Sequence, residues 1–211
     1  MQTILFLHGW GGDENSFAGV LPYFRRHYKC VIHKFDHNPD TVMSLEDYAD
    51  EIEVPDKCHI IAHSFGARVA VLLAQKYPDK IKKLVLTGPA GIKPRFSFWR
   101  WLKIRLHKLG FHQKGSKDYR KLSPTGKKTF QNVLHRNLRN EISQIAVPTL
   151  IIWGKRDTAV RRYMINRWTK LSPDTRIVIY KDAGHFCFID HPDRFIIDTQ
   201  NFLKGEQCSN V

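Results

Sequence analysis

Six short apolar runs alternate with helical patterns along this chain, and no other feature constrains its fold as strongly. The runs are residues 3–9 (TILFLHG), 30–36 (CVIHKFD), 58–64 (CHIIAHS), 81–88 (IKKLVLTG), 147–154 (VPTLIIWG) and 175–180 (TRIVIY). They are rich in Ile, Leu and Val and lack strict polar alternation, which is how strands buried on both faces read. Between them lie helical patterns: residues 16–27, interrupted near Pro22; a short one opening at Ser44 with the acidic pair Glu46 and Asp47 behind it; residues 65–77, ended by Pro78; about 158–171; and 191–204, with Pro192 in its first turn. A capping serine before acidic residues and a proline in a first turn are both helix-start signals. The alternation predicts an α/β fold: a parallel sheet of about six strands with helices on both faces. In such sheets ligands sit at the carboxyl ends of the strands.

One stretch departs from this rhythm. Residues 91–140 hold fourteen Lys and Arg against the single acid Asp118, whereas the whole chain of 211 residues carries +14. The predicted organisation is therefore a near-neutral core, residues 1–90 and 141–211, carrying one strongly cationic insert, residues 91–140. Phe96, Phe98, Trp99, Trp101, Leu102 and Ile104 lie among its cations and suggest one or two amphipathic helices. A run of charge can be no more than a solvated face. If it meets a partner, that partner is anionic: a phospholipid surface, a coenzyme A ester or an acidic acyl-carrier protein. Nucleic acid ranks last, because nothing resembles a nucleic-acid-binding fold.

No window reaches the ~18 apolar residues that a membrane span needs. The start, MQTILFLHGWGG, has neither a basic leader segment nor a small-residue cleavage site, so the expected compartment is the cytoplasm. Cys30, Cys58, Cys187 and Cys208 form no CxxC pair and read as reduced thiols. The eleven histidines form no HxH or HxxxH cluster, so no metal is expected.

The residues just after each strand carry the chemistry. The third run passes straight into Ala62-His63-Ser64-Phe65-Gly66 and then a helical pattern. A tight strand-to-helix turn of the form G-x-S-x-G exposes a serine hydroxyl as a nucleophile. Here the first small residue is Ala62 in place of glycine. The helix start at Phe65 aims backbone N–H groups at the site where an oxyanion would form. After the first run comes His8-Gly9-Trp10-Gly11-Gly12, whose glycines leave backbone donors uncovered. The N–H groups of Trp10 and Phe65 are the expected oxyanion hole. Asp157 comes after the fifth run and His185 after the last. The order Ser64, Asp157, His185 is that of the strand-end triad. Serine alone is a poor nucleophile, a neutral imidazole can take its proton, and a carboxylate fixes the tautomer. Asp182 competes with Asp157 for the acid role but lies only three residues before His185. Asp36 ends a strand on the wrong side of Ser64 in sequence. Taken one at a time, Ser64 and Asp157 could be helix caps and His185 a loop histidine. His8 and His63 read as partners of local backbone, and His191 as a helix entrance.

Together HGWGG, AHSFGA, WGKRD, DAGHF and HPDRF resemble the α/β-hydrolase superfamily in its esterase and lipase-like branch, including carboxylesterases and pimeloyl-carrier-protein methyl-ester esterases. The resemblance spans nearly the whole core. Family members usually begin with two further strands, so it implies a trimmed sheet here. A D-x-P-G-x-G-like turn usually comes after the second run, where this chain has KFDHNPD. The basic insert sits where the family places its cap, and the resemblance makes it a small helical cap. It implies a serine hydrolase of carboxylic esters acting through an acyl-enzyme, with no cofactor. Trp10, Phe65 and Phe186 would line a pocket suited to short acyl groups. The same triad could cleave thioesters, carrier-bound esters, amides or C–C bonds. The fold also hosts weakly catalytic or non-catalytic ligand-binding members.

Overall fold

The computed structural model describes residues 1–93 and 117–205. Six parallel strands, β1 (Thr3–Leu7), β2 (Lys29–His33), β3 (Cys58–His63), β4 (Ile81–Thr87), β5 (Thr149–Gly154) and β6 (Arg176–Tyr180), form one sheet in the order β2-β1-β3-β4-β5-β6. The helices are α1 (Leu21–His27), α2 (Leu45–Asp50), α3 (Phe65–Lys76), α4 (Lys117–Lys121), α5 (Pro124–His135), α6 (Arg139–Ser143), α7 (Arg162–Leu171), α8 (Cys187–Asp190) and α9 (Pro192–Lys204). This is the parallel α/β sheet of about six strands that the alternation predicts.

Successive strand side chains face opposite ways, so one sheet feeds two cores. Leu5, Leu7, Ile60, Ala62, Leu84, Leu86 and Ile151 pack with α2, α3, α6 and α7 on one face. Ile4, Phe6, Ile61, Val85, Leu150 and Ile152 pack with α1, α8 and α9 on the other. That is why the strands read as continuous apolar runs. The chain winds one way from β1 to β2 and the other way from β3 onward. The reversal leaves a crevice between the carboxyl ends of β1 and β3, where ligands bind in open α/β sheets.

Two helices start later than the sequence pattern predicts. The pattern over residues 16–27 becomes turns up to Val20 and a helix from Leu21. Pro22 sits in the first turn, where its missing N–H costs nothing, so it opens the helix instead of interrupting it. The expected start near Thr158 moves to Arg162, because a turn after Asp157 takes up the intervening residues. At α2 the capping box is complete: Ser44 Oγ accepts from the Asp47 N–H at 3.1 Å and Asp47 Oδ2 from the Ser44 N–H at 2.7 Å.

The insert is represented by α4, α5 and the start of α6. Its remaining aromatic residues, Trp99 and Trp101 among them, lie outside the described residues, as does Cys208. Cys30, Cys58 and Cys187 are free thiols. Among the described residues no helix is long and apolar enough to cross a membrane.

Candidate active site

Ser64 stands between β3 and α3 with φ +49° and ψ −103°, a conformation that L-residues other than glycine rarely adopt. Such strain costs about 1–3 kcal/mol and persists only where the surroundings impose it. Here they do. The Ser64 N–H donates to Thr87 O at 3.1 Å and the Gly66 N–H to His8 O at 3.1 Å, pinning the turn to β4 and to the end of β1. A Cβ on Gly66 would lie 2.2 Å from Leu7 O, so only glycine lets α3 come this close to β1. The Ser64 side chain makes no capping hydrogen bond to α3. The helix-cap explanation for this serine therefore fails, and its hydroxyl is left for other work.

Asp157 and His185 meet across the far end of the sheet, with Asp157 Oδ2 2.7 Å from His185 Nδ1. The Asp157 carboxylate is fully buried, and its Oδ1 accepts the N–H groups of Ala159 at 2.8 Å and Val160 at 2.9 Å. One oxygen thus organises the turn before α7, and the other faces the imidazole. The loops after β5 and β6 are sewn together by Lys155 N–H to Tyr180 O at 2.8 Å and Arg156 N–H to Ala183 O at 3.0 Å. A Cβ on Gly154 would come within 2.1 Å of Gly184 O, which explains the glycine in WGKRD. Asp182, the rival acid, is 70% exposed and paired with Arg156 at 3.1 Å. Asp36 caps the N–H of Asn38.

The His185 ring packs beside Gly88, just past the end of β4, and against the residue that precedes Ser64. Its centroid is 4.6 Å from that of His63, the residue just before the serine. A Cβ on Gly88 would lie 2.9 Å from its Cε1 and Nδ1. The structure thus brings the three residues to one rim and joins two of them. Among the described residues no hydrogen bond links the Ser64 hydroxyl to His185. Burial, with His185 close by, pushes the His63 pKa down to about 3. Its Nδ1 lies 3.1 Å from Thr87 O, which requires an N–H there, and the ring forms a neutral shelf for His185.

The other wall is aromatic. Trp10 packs edge-on against Phe65 at 5.2 Å, and Phe130 of α5 lies 5.1 Å from Trp10. Among the described residues neither the Trp10 nor the Phe65 N–H has a protein acceptor. Phe186, 47% exposed, stands on the rim with its ring 5.3 Å from His185. His8 bonds to backbone through both ring nitrogens, its Nδ1 2.9 Å from the neighbouring Gly9 O and its Nε2 accepting from the N–H of Phe35, 27 residues on, at 3.3 Å. His191 precedes α9 as its N-cap without a side-chain cap.

Three contributors escaped the sequence reading. Arg68 of α3 is 5% exposed and donates to the carbonyls of Val133 at 3.0 Å, Leu134 at 3.4 Å and Arg136 at 2.8 Å, at the end of α5. It latches α5 over the site, and burial lowers its pKa to about 10. Asn38 accepts the Ser123 N–H at the start of α5, at 2.8 Å. His37 touches Trp10. Only Arg68 left a trace in the sequence, a lone cation inside the apolar pattern GARVAVLLA. No group of three or more His, Cys, Asp or Glu among the described residues is placed to hold a metal.

The sequence profile described as the alpha/beta hydrolase family matches residues 4–198. The chain is 22% identical to a pimeloyl-[acyl-carrier protein] methyl ester esterase of Aeromonas hydrophila subsp. hydrophila, over 95% of this chain and 94% of that one. It is 25% identical to the esterase of the same description from Legionella pneumophila (strain Corby), over 97% and 95%. Lipase 1 of Psychrobacter immobilis is 20% identical, over 91% of this chain and 74% of the lipase. Among solved structures, a hydrolase from Oleispira antarctica superposes with a TM-score of 0.81 at 17% identity, over 98% of this chain and 92% of the other. A serine hydrolase involved in carbazole degradation superposes at 0.75 with 22% identity, over 98% and 92%.

Proposed function

The chain belongs to the α/β-hydrolase family, and on that premise we propose that it is a serine hydrolase of carboxylic esters, acting on short acyl groups. The observation that carries this reading is a strained, uncapped Ser64 on the same rim as a His185 already bonded to a buried Asp157. Esterase and lipase relatives support the reaction class.

In the proposed cycle Ser64 Oγ attacks the ester carbonyl carbon and its proton passes to His185 Nε2, a contact that must close to about 2.6–3.2 Å. The Asp157 carboxylate holds the proton on Nδ1 and stabilises the imidazolium. The carbonyl oxygen becomes an oxyanion, for which the N–H groups of Trp10 and Phe65 are the donors. The C–O bond to the alcohol breaks as Nε2 returns the proton to the leaving oxygen. Water, deprotonated by His185, then releases the acid and regenerates Ser64. Phe65, Trp10 and Phe186 supply apolar surface to the acyl group, and α5 closes the pocket as a fixed wall of a cap spanning residues 91–140.

The test is hydrolysis of p-nitrophenyl esters from acetate to palmitate by wild type, Ser64→Ala and His185→Ala. The reading expects turnover, best at short chain length, that collapses in both variants. Turnover that survives in either variant refutes the assigned roles. Absence of turnover on every ester brings forward a carrier-bound or otherwise specialised substrate, or a ligand-binding role for the pocket.

A second reading has its own support. In it the substrate is a thioester or oxygen ester carried on an acidic carrier protein; the names of two relatives give the methyl ester of a pimeloyl-[acyl-carrier protein]. Exposed Arg120, Lys121 and Lys128 lie on the insert, and exposed Lys155, Arg156, Arg161 and Arg162 ring a recess of about 420 Å³ beside Asp157. Binding of an acidic carrier should weaken between low and high salt. Salt-independent binding contradicts the electrostatic role.

A further inference from the structure

We propose that His37 is a positioning residue that holds the loop of residues 9–12 and, through it, aims the Trp10 N–H. The inference rests on the ester-hydrolase reading only for what that N–H does.

The loop has little to hold itself. Gly9, Gly11 and Gly12 surround Trp10, and Gly11 has φ +75°, so the segment is rich in backbone freedom. Within it a single backbone hydrogen bond, Gly12 N–H to Gly9 O at 3.1 Å, closes the turn. Two histidines supply the rest, one on each side of Trp10. His8 Nδ1 lies 2.9 Å from Gly9 O, and His37 Nε2 lies 3.2 Å from Gly12 O. A carbonyl oxygen only accepts, so each of those nitrogens carries the proton. His37 Nδ1 is buried with no partner among the described residues, which agrees with that tautomer. The His37 ring also packs against the Trp10 indole at a centroid distance of 4.8 Å.

His37 is itself well anchored. On one side Asp36 O accepts the Tyr48 hydroxyl at 2.6 Å. On the other, Asn38 Oδ1 accepts the Ser123 N–H at 2.8 Å, tying the same segment to α5. Burial, with His8 nearby, pushes the His37 pKa down to about 4, so the ring stays a neutral single donor near pH 7. The segment KFDHNPD thus braces the loop with a side chain.

The test compares His37→Phe, which keeps a ring beside Trp10 but has no donor, with His37→Gln, which keeps a donor. Two quantities are read: amide hydrogen exchange at Gly12, and kcat and KM on a short p-nitrophenyl ester. In His37→Phe the Gly12 amide should exchange about tenfold faster, and kcat should fall about ten- to a hundredfold with KM within about threefold, the scale of a misplaced donor. His37→Gln should recover most of both. Unchanged Gly12 exchange in His37→Phe overturns the proposal, as does equal impairment of the two variants. Faster exchange with unaltered kcat overturns the link to Trp10. If wild type cleaves no ester, the functional reading fails separately, and the exchange pattern of the two variants still decides the brace.

Discussion

A single methyl group at Gly66 should disable both one of the fold's closest backbone contacts and the proposed chemistry. A Cβ there would stand 2.2 Å from Leu7 O, 2.6 Å from the Leu7 carbonyl carbon and 2.7 Å from His8 O. Ordinary C···O contacts begin near ~3.3 Å, so about 1 Å must be found. All three atoms are backbone at the end of β1, a strand paired on both sides, so the yielding partner is the start of α3. Moving it breaks the Gly66 N–H bond to His8 O and displaces Ser64 and the Phe65 N–H. Overpacking at about 1–3 kcal/mol plus a lost hydrogen bond of about 1 kcal/mol gives a loss of about 2–4 kcal/mol. For a chain this long that is a fall in Tm of about 5–15 °C. A displacement of about 1 Å in the donors and nucleophile should cost about a hundredfold in kcat/KM. Thermal unfolding and ester hydrolysis would be measured side by side on Gly66→Ala and on Gly19→Ala. A Cβ on Gly19 meets nothing within 4 Å, so Gly19→Ala should stay within about 0.5 kcal/mol of wild type and keep full activity. A Gly66→Ala protein with wild-type Tm and activity would refute the close-approach argument.

Asp157→Asn should keep its hydrogen bonds to the N–H groups of Ala159 and Val160, and so most of its stability, while presenting an amide to His185 Nδ1. The wrong tautomer should lower kcat by about 10³–10⁴, and steady-state kinetics beside a thermal melt would show the split. Arg68→Met removes three donors from the end of α5 and should cost about 2–4 kcal/mol in urea unfolding, with faster amide exchange in α5 than in α3. Equal exchange in both helices would contradict the latch. Burial holds His37 and His59 near pKa 4 and His63 near 3, below the ordinary value of 6.5. The unfolded chain therefore binds protons that the folded chain refuses, and stability should fall as pH drops from about 6.5 toward 4, by up to about 1.4 kcal/mol per unit for each histidine. Urea midpoints at pH 7, 6 and 5 measure this, and His59→Gln should flatten the slope.

The parts of the structure legible in the sequence are those where local pattern and burial agree. Strands covered on both faces show as unbroken Ile/Leu/Val runs, and the six runs became six parallel strands. Gly66 was legible for a related reason: it sits where two backbones come closer than any side chain allows. Helix starts were less legible. Asp157 spends one oxygen on the turn after β5, and that turn delays α7 to Arg162, a competition that no periodicity records. Pro22 looked like an interruption because its place in a first turn depends on where Phe17 and Val20 are buried. His37 was illegible, and Arg68 showed only as a lone cation in an apolar pattern, because their roles exist through long-range contacts, with Gly12 in one case and the end of α5 in the other. Asp157 and Asp182 both follow strands, and spacing from His185 alone favoured Asp157 in the sequence. Depth separates them, one carboxylate buried against His185 and the other in solvent beside Arg156.

In the proposed mechanism the corner at residue 64 exposes a nucleophile. The most direct measurement is rapid-quench mass spectrometry of the protein during turnover of p-nitrophenyl acetate, with peptide mapping of any adduct. The account expects one acetyl group per chain, located on Ser64, lost with time in wild type and absent in Ser64→Ala. Turnover with no adduct on Ser64, or an adduct that persists in Ser64→Ala, would contradict it.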